Sequence, residues 1–178
     1  MESADAARNR RAVLRAAGRL LTERGGEHVS LDAVASETGG GKGTVLRRFG
    51  SRSGLVRAVL EERSREVRVA VTEGPSPLGP GASARQRLMA FLSELTEIAE
   101  QNAALLSAHE QACADHKYED PSYRFWAEHV AGLLAEERPD LDADFLRHAV
   151  LAVFDADLVR HMGERGPGWF DSALREMV

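Results

Sequence analysis

His109, Cys113 and His116 fall at spacings of four and three, which on a helix place them on one face, and imidazole with thiolate is a donor set for zinc or copper. Asp157 and His161 form a second such pair. A buried cysteine beside scattered histidines is the commoner arrangement, so no metal is assigned to either group and no cofactor is called for. The sequence is equally poor in catalytic constellations. It has no Glu-x-x-His tetrapeptide of the di-metal carboxylate kind, no phosphate-binding glycine motif and no nucleophile elbow. The run His109-Glu110-Gln111-Ala112-Cys113 is the nearest approach to a zinc-protease motif, and it lacks the second histidine. An enzyme built on a helical bundle is the weaker reading on these grounds.

The chemistry that stands out is charge. Residues 1–70 hold 14 Lys/Arg against 9 Asp/Glu, whereas residues 71–178 hold 9 against 19, so a net charge of −5 conceals a cationic head on an anionic body. Such a division suits a chain whose first part meets phosphate and whose remainder is repelled by it. The 43% hydrophobic content is enough for a packed core. No apolar run approaches the ~18 residues needed to cross a bilayer, and the lone Cys113 makes no internal disulfide, so a cytoplasmic protein with no membrane partner is expected.

The elements that must position these charges are helical throughout, giving an all-α fold class. Val13, Ala16, Ala17, Leu20 and Leu21 form the stripe of a first helix over about 7–24, ended by Gly25-Gly26. Ser30 caps a short second helix with Asp32 in its first turn. Thr38-Gly39-Gly40-Gly41 breaks the chain, and Lys42 to Phe49 makes two further turns, which together outline a helix-turn-helix. Ser51 caps a fourth helix with Leu55, Val56, Val59, Leu60, Val67 and Val71 on one side. Six Gly or Pro in residues 74–81 form a loop. Beyond it, Leu88 to Ala99 lie on one helix and Leu105 to Cys113 on a continuation or a separate one. Asp120-Pro121 starts another, and Asp142 caps a single helix expected to reach Glu164, followed by a short amphipathic segment from Trp169. The expected division is residues 1–50 as arm and helix-turn-helix, 51–73 as connecting helix, 74–82 as loop, and 83–178 as a second, all-helical domain.

Residues Ser30 to Leu60 resemble the DNA-binding domain of the TetR family of transcriptional regulators. The likeness rests on Ser30, Val34-Ala35, Thr38-Gly39, Lys42-Gly43-Thr44 and Phe49, with Arg52 and Leu55 on the fourth helix, all in one register. The chain departs from that pattern at Gly40 and Gly41, where the family has an apolar residue and a hydroxyl. Leu46 stands in place of a tyrosine, and Arg48 in place of a histidine.

The resemblance implies a recognition helix in the major groove. There Lys42, Thr44, Arg47 and Arg48 face base edges, and side-chain-free Gly43 lets the backbone approach the sugar-phosphate chain. Arg8, Arg10, Arg11, Ser30 and Arg52 are implied as phosphate contacts that set register. It further implies a homodimer on a near-palindromic double-stranded operator, closed by the Asp142–Glu164 helix and the segment after Trp169. A small-molecule effector that releases the DNA is implied as well, with Phe91, Leu95, His109, Tyr123, Trp126 and Phe154 as candidate pocket-lining residues. A metal-responsive regulator and an effector-independent DNA-binding protein are the other readings.

Overall fold

The computed structural model describes the backbone of residues 4–24, 30–163 and 172–173, and the side chains of 8–21, 23, 30–100, 116–162 and 172–173. Among the described residues every regular element is helical: α1 Ala4–Arg24, α2 Leu31–Glu37, α3 Lys42–Phe49, α4 Arg52–Glu73, α5 Ala84–Cys113, a 3₁₀ segment Ala114–Glu119, α6 Pro121–Glu137, α7 Ala143–Ala152 and α8 Ala156–Gly163. None of these helices is long and apolar enough to cross a membrane. The chain forms two compact units that divide between Arg63 and Ser64. That point lies inside α4, so the helix expected to act as a connector supplies residues to both.

In the first unit the α1 stripe is buried as its spacing requires. Val13, Leu14, Ala16, Ala17, Leu20 and Leu21 are each at most 5% exposed, and Val34, Ala35, Val45, Leu55 and Val59 complete the core. Ser30 caps α2 by accepting a hydrogen bond from the Ala33 N–H at 3.1 Å. The turn between α2 and α3 depends on Gly39, whose φ of +64° is a left-handed conformation that a Cβ disfavours. The Gly40 N–H then reaches back to the Ala35 carbonyl at 2.9 Å and closes the end of α2. Gly50, at φ +73°, ends α3 in the same way.

The second unit packs α5 against α6 and α8, and α6 against α7. Its core gathers Val67, Val71, Leu88, Phe91, Leu92, Leu95, Val130, Leu133, Leu134, Val150 and Val159. Ser83 and Gln86 form a reciprocal cap at the start of α5: the Ser83 N–H donates to Gln86 Oε1, and the Gln86 N–H donates to Ser83 Oγ. Past residue 99 the helix continues unbroken to Cys113.

Two expectations need correction. The helix foreseen from Asp142 to Glu164 is broken at Val153–Asp155 into α7 and α8. The cause is Asp155, whose carboxylate accepts from the N–H groups of Asp157 and Leu158 and so starts a new helix instead of extending the old one. His116 does not share a face with residues on α5, because α5 ends at Cys113 and His116 sits beyond it with non-helical torsions of φ −135° and ψ 22°. Its Nδ1 faces Glu119 at 3.5 Å. Asp157, the other half-site, is engaged by Arg160. No group of three or more metal-ligating side chains exists among the described residues. The side chains of His109 and Cys113, and the segment from Trp169 apart from residues 172–173, lie outside the described residues.

Candidate nucleic-acid interface

Helix α3 buries one side chain, Val45, which is 3% exposed. Phe49 is half-buried, and Lys42, Gly43, Thr44, Leu46, Arg47 and Arg48 are all exposed. A two-turn helix anchored by Val45 and the half-buried Phe49, with its other side chains exposed, has the dimensions to enter a groove. Arg47 and Arg48 lie in its last turn, where cations also complement the carbonyl end of the helix dipole. Leu46, 44% exposed, is an outward apolar side chain among these polar ones. It was assigned no contact by sequence, yet a thymine methyl is a natural partner for such a group.

Lys42 is held by Asp32, with Nζ to Oδ2 at 2.7 Å, across the turn from α3 to the first turn of α2. Both side chains are about 60% exposed, so the pair contributes at most about 1 kcal/mol to stability. Its larger consequence is for phosphate binding, because Lys42 must exchange a carboxylate for DNA. We expect Asp32→Asn to strengthen non-specific duplex binding a few-fold at low salt and to steepen the salt dependence by about one counterion. Fluorescence anisotropy over a salt series checks this, and an unchanged slope contradicts it.

Among the implied phosphate contacts, Ser30 and Arg52 are exposed at the starts of α2 and α4. Arg8 and Arg11 are exposed on α1, where they line a hollow of about 210 Å³ together with Ala12 and Arg15. Arg15 was missed by sequence reasoning. Its spacings of seven from Arg8 and four from Arg11 were the available signal, since they put all three on one helical face. Arg10 points elsewhere: it is half-buried, and its guanidinium faces Glu62 of α4 at 3.7 Å.

The candidate ligand residues are brought together in the second unit, apart from His109, whose side chain is outside the described residues. Phe91 and Leu95 belong to the core at 0% and 4% exposure, and Tyr123, Trp126 and Phe154 pack against it half-buried. Phe91 meets His129 edge-on, ring centroids 4.9 Å apart, and Phe125 lies parallel to that imidazole at 6.2 Å. The Tyr123 hydroxyl and His148 Nδ1 are 2.6 Å apart. Burial raises the Tyr123 phenol above its ordinary value, neighbouring Tyr118 adds to this, and Arg147 opposes it.

Burial, helped by the nearby Arg87 charge, pushes His129 down to about 4, so it is neutral at pH 7. A base that resists protonation only when folded contributes stability above about pH 6.5, and that contribution is lost as pH falls toward 4. The urea midpoint should therefore drop over this window by more in the wild type than in His129→Phe; identical pH profiles contradict the assignment.

Residues 13–59 match the profile of the bacterial regulatory proteins of the tetR family. No curated protein matches the chain. Among solved structures, a presumed transcriptional regulator from Saccharomonospora viridis, determined in complex with choline, is similar at TM-score 0.71 and 21% identity, over 96% of this chain and 95% of that one. A transcriptional regulator from Rhodococcus sp. Rha1 is similar at 0.66 and 18%, over 94% and 92% of the two chains. A TetR transcriptional regulator from Legionella pneumophila is similar at 0.64 and 15%, over 93% and 92%. At these identities the likeness is one of fold, and it extends through both units.

Proposed function

We propose, from the premise that residues 13–59 carry the DNA-binding domain of the tetR family of bacterial regulatory proteins, that this chain is a homodimeric, non-enzymatic repressor. It leaves a near-palindromic operator when a small molecule binds its second unit. The single observation that carries the reading is α3, with one buried valine and an outward array of Lys42, Thr44, Leu46, Arg47 and Arg48. In this account Arg47 and Arg48 donate to guanine edges, and Thr44 and Leu46 meet thymine methyls. Gly43 gives close backbone approach, while Arg8, Arg11, Arg15, Ser30 and Arg52 hold phosphates and set register.

One head spans too few base pairs for strong selection. Two heads on a two-fold axis, with recognition helices ~34 Å apart, read two half-sites on one face of the duplex. The effector acts by binding the two arrangements of the dimer unequally, which is all that release requires. Phe91, Leu95, His109, Tyr123, Trp126 and Phe154 are the residues assigned to its surroundings.

Selection of protein-bound fragments from the source genome tests the proposal. The expected outcome is a shared inverted repeat whose half-sites are centred about one helical turn apart. Fragments with no common sequence would overturn it.

A further inference from the structure

Among the described residues of the second unit, four side-chain nitrogens are buried with no hydrogen-bond partner: Arg87 Nε on α5, Trp126 Nε1 and His129 Nε2 on α6, and Arg147 Nε on α7. Three of them are obligate donors, and the fourth donates in one tautomer. A buried donor without an acceptor costs free energy, and native proteins rarely tolerate several in one core. Arg147 already has a carboxylate, since its guanidinium meets Asp144 at 3.1 Å. Arg87 has no carboxylate within ion-pair distance among the described residues, although it is half-buried.

The surroundings of Arg87 narrow the kind of partner it lacks. Its charge is felt by His129 across the seam between α5 and α6. Phe91, one turn beyond Arg87 on α5, meets His129 edge-on, and Phe125 lies parallel to that ring at 6.2 Å. Leu88 and Phe91 are fully buried. Arg68 of α4 lies over the Phe125 ring at 4.3 Å and donates to the Pro121 carbonyl at 3.3 Å, so its charge is already engaged. A cation and donors set in an apolar wall match a molecule with one anionic, acceptor-rich end and a hydrocarbon remainder.

We propose that the α5–α6 seam binds the carboxylate of a small apolar organic acid, with the Arg87 guanidinium as its counter-charge and His129 Nε2–H as a second donor. The inference rests on the effector reading above and specifies its chemical class. Trp126, one turn before His129 on α6, carries a further buried N–H with no acceptor among the described residues. Arginine is suited to this task because its planar fork offers a carboxylate two parallel hydrogen bonds.

The test uses the full-length protein without DNA. Thermal unfolding and calorimetry are run with phenylacetate and octanoate at millimolar concentration, against phenylacetamide and octanamide as uncharged matches. At least one acid should raise Tm and bind at least tenfold tighter than its amide. Arg87→Met should abolish that difference, and Arg87→Lys, which keeps the charge and loses the fork, should retain part of it. Circular dichroism and a cooperative thermal transition in the absence of ligand would show that both variants are folded. Acids that leave wild-type Tm unmoved, that bind no better than their amides, or that stabilise Arg87→Met equally would overturn the proposal. Because this assay contains no DNA, a wild type that answers to acid but finds no operator would instead overturn the repressor reading and leave the acid site standing.

Discussion

Phe91→Ala is expected to destabilise the protein by about 3–5 kcal/mol, the range for removing a fully buried aromatic side chain and leaving a cavity. Phe91 is 0% exposed at the centre of the second core, among Leu88, Leu92, Leu95 and Val130 on α5 and α6, with His129 against its ring. Since a domain of ordinary stability has about 5–15 kcal/mol in total, such a loss would leave the second unit partly unfolded at 37 °C. Urea denaturation followed by circular dichroism checks this. A loss below about 1 kcal/mol would contradict the close packing described around Phe91.

Arg47→Ala should cost about 1–3 kcal/mol of operator affinity and relax the preference at one base pair, because a bidentate contact to guanine supplies discrimination of that size. The side chain is exposed in the last turn of α3, so its removal disturbs no packing and the effect reads out on DNA alone. Arg52→Ala supplies the contrast. Placed at the start of α4 and assigned to a phosphate, it should weaken operator and random duplex alike. Titration of both variants on the operator and on single-base variants separates the roles; equal loss on all sequences for both would contradict the division.

Much of the head was legible because local chemistry decides it. Ser30 sits where a hydroxyl must cap α2, Gly39 sits where the backbone must turn left-handed, and the α1 stripe follows the helical period to within a few residues at its start. What stayed hidden depends on three dimensions. Nothing in one dimension pairs Arg10 with Glu62, which lie on different helices, and that contact turns Arg10 toward the α4 carboxylate.

Other features were present in the sequence but went unread. Asp155 has the type and position of a helix cap, yet the apolar spacing on either side of it suggested one continuous helix across the break. The Ser83-x-x-Gln86 box and the Arg8, Arg11, Arg15 face follow spacing rules that needed only to be applied. The candidate effector site was half visible. Trp126 and Tyr123 stood out as aromatics, but Arg87 and His129 became notable only once burial showed that a nitrogen of each lacks a partner among the described residues.

The account stands on α3 as a reader of base sequence, and a competition titration at physiological salt measures that most directly. The selected operator and a scrambled duplex of equal length and composition compete for the wild-type protein. The prediction is a preference for the operator of at least ~10³-fold, the scale that separates specific from non-specific recognition. Affinities within a few-fold of each other would contradict it, leaving only a cationic surface that attracts any duplex.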